Sequence, residues 1–488
     1  MLFNSFEIYI CILPITFFLY FLLSKFRLMK ASIFILTAAS LVFYGYWNFI
    51  YVPLILMSIT FNFFTGNHLC KEFKFKKIFL WFSILCNLAL LGYYKYTDFF
   101  IENFNGMFSS NIPLHHIILP LGISFFTFTQ IAFLVDCFSG KVKETNYLKY
   151  ALFVTYFPHL LAGPIIHHAE MMPQFANLRR KKIHYKNISI GIFLFAIGLF
   201  KKVVIADFFA KFANYGFDSV AMLSMSEAWI TSLSYTFQLY FDFSGYTDMA
   251  IGISYMFNIV LPLNFNSPYK SLSIQEFWRR WHMTLSRFLR DYIYIPLGGN
   301  RLGESRAYIN IFIVFLLGGL WHGAGWTFII WGALHGTALM IHRFYSSHFK
   351  PLHRILAWII TFNFINITWV FFRAKDMESA FKVLKGMFNI NSIAPNSGFI
   401  IVINEAFGFM ENVTHKIAAS LSIFIVTALA FVICVLFKNS NEMVANSKFG
   451  YKTAIFVVFL FVCAFFATRS VQESQFYILI FREFYEIL

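Results

Sequence analysis

Charge is what this chain has least of. Only 13% of its 488 residues are Asp, Glu, Lys or Arg, and 59% are hydrophobic; a soluble globular domain carries roughly 25% charged residues. With a mean hydropathy of +0.65, and with apolar runs recurring from residues 6–24 to residues 452–469, a soluble fold is excluded. Cysteine is also sparse. The six residues Cys11, Cys70, Cys86, Cys137, Cys434 and Cys463 are scattered with no CxxC pair, which argues against a disulfide framework and against a zinc site. The first apolar run has no basic stretch before it and no small-residue cleavage site after it, so it does not read as a signal peptide. There is no GxSxG elbow and no DHHC run, and His167-His168 precede Glu170 in the wrong order for HExxH. Neither an internal repeat nor a linker between soluble domains is visible. The fold class expected is all-α: one polytopic integral membrane bundle over 1–488, with a core region at 119–343 and a further helical part after about residue 350.

A spanning helix needs about 20 apolar residues. Several runs are shorter, so about eleven to thirteen spans are expected, plus re-entrant or interfacial helices. The net charge of +16 reflects short basic loops rather than a nucleic-acid site. Lys25 to Lys30, Lys71 to Lys77, Lys141 to Lys149 and Arg179 to Lys182 read as cytoplasmic under the positive-inside rule, with the N-terminus outside. Lys201-Lys202 conflicts with that alternation. Either the helix carrying this pair or the short run 150–163 does not cross, and Pro158 and Gly163-Pro164 favour a broken element there.

Three polar islands interrupt the apolar sequence. The most informative is Gly318-Gly319-Leu320-Trp321-His322-Gly323-Ala324-Gly325. Lipid solvates neither an imidazole nor an unpaired backbone, so the segment must pack in protein or line a polar cavity. Glycines let a substrate or a second backbone come close to the histidine. The second island, Ser273 to Arg301, follows a helical pattern from about Ile274 to Tyr292. Phe277, Trp278, Trp281, Leu285, Phe288 and Leu289 share one face, His282 sits at its edge, and Arg279, Arg280, Arg287 and Arg290 lie opposite. An arginine at the bilayer centre costs about 2.5–3.5 kcal/mol, so this helix reads either as an interfacial anchor or as a cationic mouth for an anionic acyl donor, whose phosphates suit guanidinium forks. In the third island, Asp242 and Asp248 flank Ser244-Gly245, which reads as a break between two apolar runs. Asp248 reads as a helix cap. Asp242 lies deeper and needs an arginine or histidine partner. Asp136 ends an apolar run and is expected to pair with a basic loop. No carboxylate or cysteine stands at metal-ligand spacing near His322, His335 or His342, so no metal is expected.

The segments QLYFDFSGYTDMAIG, EFWRRWHMTLSRFLRDYIYIPLGGNR and GGLWHGAGWTFIIWGALHG, with LPLGISFFTFTQIAFLVD and FPHLLAGPI, resemble the membrane-bound O-acyltransferase family, in particular its bacterial polysaccharide branch. The resemblance covers nearly the whole chain. It implies a funnel through the bilayer, with His322 as the catalytic residue deep inside and His282 as the second functional histidine. Asp242, Trp278, Arg279, Arg280, Trp321 and Tyr477 are the candidate substrate-binding residues. The branch often ends in an aromatic motif resembling FIYFQF, whose tyrosine is a proposed acyl carrier; here Tyr477 is displaced by one position against it.

The reaction so implied is transfer of an acetyl group from a cytoplasmic thioester, with acetyl-CoA as donor and no bound cofactor. A solvated imidazole changes charge near about pH 6.5, and burial favours its neutral, proton-accepting form. The partners implied are membrane lipid and a periplasmic SGNH-type esterase or transferase, and the location is the bacterial inner membrane. The Phe-, Ile-, Lys- and Asn-rich composition suggests an AT-rich genome and favours cell-wall peptidoglycan as acceptor, with alginate or another exopolysaccharide as the alternative. A secondary transporter would also place Asp and His inside the membrane beside broken helices. No repeated pair of such helices is visible, and the arginine-rich helix would have no task in ion coupling.

Overall fold

Gly191, Gly198, Gly245 and Gly252 set the axis of the molecule. The computed structural model describes residues 11–407 and 415–470, and within them every regular element is helical. In chain order these are α1 (Leu13–Lys25), α2 (Met29–Gly45), α3 (Val52–Leu69), α4 (Lys76–Phe108), α5 (Ile123–Phe138), α6 (Tyr147–Thr155), α7 (Phe157–Leu160), α8 (His168–Ala176), α9 (Tyr185–Phe200), α10 (Asp207–Asn214) and α11 (Met225–Met256). They continue with α12 (Ile274–Arg280), α13 (Met283–Leu289), α14 (Glu304–His322), α15 (Trp326–His348), α16 (Arg354–Arg373), α17 (Met377–Met387), α18 (Ser397–Phe407), α19 (His415–Leu436), α20 (Ser440–Asn446) and α21 (Tyr451–Ser470).

α9 and α11 pack antiparallel through the four glycines, which recur seven residues apart on each helix. A Cβ on Gly245 would lie 2.7 Å from the Gly198 carbonyl oxygen, and one on Gly252 would lie 2.6 Å from that of Gly191. Small residues allow this approach, and dispersion between closely packed backbones then holds helices together where lipid supplies no hydrophobic drive. Gly245 therefore serves contact, not a turn. The break expected at Ser244-Gly245 is absent: α11 is one 32-residue helix, opened by a capping box between Ser224 and Glu227. Overpacking a tight site costs about 1–3 kcal/mol. Gly245→Leu is expected to lower the melting temperature of the detergent-purified protein, whereas a leucine at the open position Gly92, where an added Cβ meets nothing within 4 Å, is expected to leave it unchanged.

α9 does not end at the lysine pair. It runs on through π-helical turns at Lys201–Ala206 and Tyr215–Ser219, giving a helical rod over Tyr185–Ser219 of 35 residues. Lys201 and Lys202 lie within this rod and are neutralised there. Lys201 Nζ donates to Asp248 Oδ2 at 2.7 Å and to Ser440 Oγ at 2.6 Å. Lys202, 1% exposed, pairs with Asp207 and, at 3.4 Å, with Asp242. The positive-inside reading of this pair fails because its charges are buried and paired. Asp248 is mid-helix and caps nothing, and Asp242 pairs with a lysine rather than an arginine or histidine. The run 150–163 is broken as expected. α6 ends at Thr155, α7 holds only four residues around Pro158, and the whole stretch is buried in protein.

Among the described residues, five helices are long and apolar enough to cross a membrane, or six if the pair Ser420–Leu436 and Ser440–Asn446, bent by 55°, is one span. That is fewer than the eleven to thirteen expected from apolar runs. The apolar helices α2 and α5 have only 17 and 16 residues, and α11 mixes buried Ser, Thr, Gln and Asp with its apolar residues.

Candidate active site

α14 ends on His322. Gly323 and Gly325 are extended, with φ of −167° and −168°, and carry the chain into the antiparallel α15. The hairpin closes on glycine: a Cβ on Gly319 would lie 3.0 Å from the Gly332 Cα. The last carbonyls of a helix have no intrahelical partner. Here α4 supplies it. Lys95 Nζ donates to the Trp321 carbonyl at 2.6 Å and to that of His322 at 3.3 Å, and the Tyr96 hydroxyl donates to the Leu320 carbonyl at 2.7 Å. The His322 ring, 7% exposed, lies among Trp321, Trp331 and Phe372 with centroids 4.7, 5.1 and 5.2 Å away. Its Nδ1 is buried with no hydrogen-bond partner among the described residues.

The helix expected across 274–292 is interrupted at the second histidine. Trp281 is extended, and His282 is left-handed, with φ 41° and ψ 55°. That conformation is uncommon for a residue with a Cβ and needs surrounding structure to hold it. Asn264 provides much of that support. Its side-chain oxygen accepts from the Thr284 hydroxyl at 2.6 Å, and its carbonyl accepts from the Met283 amide at 2.9 Å. Ser286 Oγ donates to the Trp278 carbonyl at 3.0 Å, folding α13 back over α12. His282 is 1% exposed, and among the described residues neither ring nitrogen has a hydrogen-bond partner. Its ring meets Phe243 at 4.9 Å and Trp321 at 6.4 Å. Trp321 thus contacts both imidazoles, so the two breaks in the chain bring His282 and His322 to one aromatic cluster.

The family described as MBOAT, membrane-bound O-acyltransferase family, matches residues 68–380, a stretch that contains both histidines, Lys95 and Asn264. The chain belongs to the membrane-bound O-acyltransferase family. It is 47% identical to a peptidoglycan O-acetyltransferase of Helicobacter pylori, over 98% of this chain and 97% of that one. It is 41% identical to a probable alginate O-acetylase, AlgI, of Pseudomonas aeruginosa, over 73% of this chain and 70% of that one. A teichoic acid D-alanyltransferase of Bacillus subtilis is 30% identical over 54% of this chain and 71% of its own. The protein is therefore a multi-pass membrane acyltransferase.

The acyltransferase gathers more basic groups at this place than the two histidines. Trp278 Nε1 donates to His335 Nδ1 at 3.2 Å, and the His335 ring is 4.7 Å from that of Trp331. Lys95, His282 and His335 all lie close enough to act electrostatically on His322. Trp278 is thus part of the cluster, buried against Phe315 and Trp331. The arginines are mostly committed elsewhere. Arg280 pairs with Glu276 at 2.8 Å, Arg287 grips Glu170 through two bonds of 2.6 and 3.1 Å, and Arg290 pairs with Asp291 at 2.7 Å. Arg279 is exposed and makes no ion pair among the described residues. Asp242 sits in the Lys202 ion cluster, while its neighbour Phe243 touches His282. Asp136 accepts from the Tyr292 hydroxyl at 2.9 Å and also feels the charge of Lys141 in the basic loop, and Tyr292 bonds His167 Nδ1 at 3.0 Å. Tyr477 lies outside the described residues. Among the described residues no three His, Cys, Asp or Glu side chains are gathered to hold a metal.

Lys95, Asn264, Trp331 and the bonded role of His335 were not found from sequence. The one available signal for Lys95 was a single lysine ending the apolar run 78–96. A hydrogen bond from a charged donor contributes about 1.5–3 kcal/mol. Lys95→Met is therefore expected to lower acyl transfer by roughly tenfold or more, with Lys95→Arg recovering part of it, as measured on purified protein of normal elution profile.

Proposed function

We propose that this acyltransferase moves an acetyl group from cytoplasmic acetyl-CoA across the bacterial inner membrane for O-acetylation of cell-wall peptidoglycan. The observation that carries the reading is the 47% identity to a peptidoglycan O-acetyltransferase, which holds over nearly the full length of both chains. The alginate relatives align over about three-quarters of this chain at lower identity.

The chemistry follows from the site. An acceptor hydroxyl oxygen attacks the thioester carbonyl carbon, and His322 takes its proton. The C–S bond breaks as the carbonyl re-forms, and the thiolate leaving on the CoA side takes a proton back. Backbone amides of the glycine-flanked break beside His322 would meet the oxyanion. His282 positions the donor or relays the proton from the cytoplasmic side. The acceptor is a serine of a periplasmic SGNH-type partner, or Tyr477 as a carrier, so the acetyl group crosses through a funnel without CoA crossing. Arg279 is the arginine on the α12 face left unpaired to meet donor phosphate, and Asp242 and Trp278 support the site from α11 and α12.

The test is a strain lacking the gene. Its muropeptides, analysed by mass spectrometry, are expected to lose O-acetyl groups and to regain them on complementation. Wall acetylation that is unchanged while an exopolysaccharide loses its acetyl groups would replace peptidoglycan with that polymer.

A further inference from the structure

A pocket lies away from the two histidines. It has a volume of about 630 Å³ and is formed where the end of α1 and the α1–α2 turn meet residues 178–183. One wall is apolar, with Phe17 and Phe21 among its residues, and the rest carries Lys25, Arg27, Lys181 and Lys182. No acidic residue is among those lining it. Both basic segments are ones whose charge assigns them to the cytoplasmic side, so the fold joins two distant loops of equal sign at one membrane face. Like charges gathered without an acid repel one another, and an arrangement of this kind calls for a bound anion.

Lys181 makes the case specific. It is only 5% exposed, and among the described residues its ammonium has neither an ion pair nor a hydrogen bond. Its stem is packed in protein while its ammonium reaches the pocket, where an anion would supply the missing countercharge. Burial, with Lys149 adding to it, holds the Lys181 ammonium below the usual lysine range, as expected where the countercharge is missing. Arg27 at the rim occupies the left-handed region, with φ 62°, which a residue with a Cβ seldom adopts.

We propose that this pocket binds the phosphate headgroup of an anionic phospholipid from the cytoplasmic leaflet, with Lys181 as its buried contact and Phe17 and Phe21 against the first carbons of its chains. Phosphate is the recognised group, and a free phosphate compound could present it too. The apolar wall beside the cations favours the lipid.

The experiment uses the full-length protein in detergent, with native mass spectrometry and thermal melting as readouts. Wild type is expected to retain phosphatidylglycerol over phosphatidylcholine by about tenfold, and to be stabilised by the former but not by inorganic phosphate. Lys181→Met should remove most of that preference, and the exposed Lys182→Gln should weaken it with folding intact. Equal retention of the two lipids by wild type overturns the proposal whatever the variants do. So does an unchanged preference in Lys181→Met, or equal stabilisation by inorganic phosphate.

Discussion

His322→Ala is expected to lower acetyl transfer from acetyl-CoA by about 10²- to 10⁴-fold, the range that general-base catalysis contributes, while the protein still inserts and folds. The site gives the reason for separating the two effects. Lys95 and Tyr96 hold the end of α14 through the carbonyls of Leu320, Trp321 and His322, and alanine keeps all three. The imidazole Nδ1 has no partner to lose, so the substitution leaves no buried donor or acceptor stranded. What alanine does remove is ring contact with Trp321, Trp331 and Phe372, a packing loss at one point in a large aromatic cluster. Release of CoA and transfer of labelled acetyl by purified protein measure the rate, and gel filtration checks the fold. His322→Gln restores polarity and most of the volume without a proton-accepting nitrogen, and should be as inactive as alanine. A glutamine variant running at the wild-type rate would remove proton transfer from the role of His322, and with it the mechanism built on this residue.

His322 was legible in the sequence because its surroundings have no other reading. A titratable ring among glycines within an apolar stretch cannot face lipid, and the structure places it at a helix end inside protein. His282 was legible as a residue but not as a conformation. The apolar positions from Phe277 to Leu289 keep helical spacing straight through it, and the left-handed turn depends on Asn264, which lies 18 residues earlier and has no periodic signature. The reverse happened in α11. Ser244-Gly245 looked like a break, yet glycine there lets α9 approach, and only the facing Gly198 makes that sense visible. Lys201-Lys202 looked like a cytoplasmic flank because charge counting takes a lysine as solvated unless its partners are known. Of those partners, Asp242 and Asp248 are brought in from α11 by helix packing, and Asp207 stands five residues on in the same rod. Local pattern therefore identified the chemistry, while long-range pairing decided which charges belong to topology and which to the interior.

That interior pairing carries the second large effect. Lys202→Met is expected to destabilise the protein by about 3–5 kcal/mol, the range seen when one partner of a buried ion pair is removed, and so to abolish most of the monodisperse protein recovered from membranes. Lys202 lies 1% exposed in a π-helical turn between two carboxylates. Without it, Asp207 and Asp242 face each other uncompensated, and at least one must take up a proton to remain buried. The triple variant Lys202→Met, Asp207→Asn, Asp242→Asn removes all three charges together and should regain folded protein, since an uncharged replacement of a buried ion cluster is often neutral. If Lys202→Met alone elutes like wild type, the cluster does not hold α9 against α11. Asp242→Asn then separates architecture from chemistry. It leaves Lys202 paired with Asp207 and should fold, so loss of transfer in that variant would assign Asp242 to the substrate. Transfer at the wild-type rate would leave Asp242 as the countercharge that keeps a lysine inside the membrane.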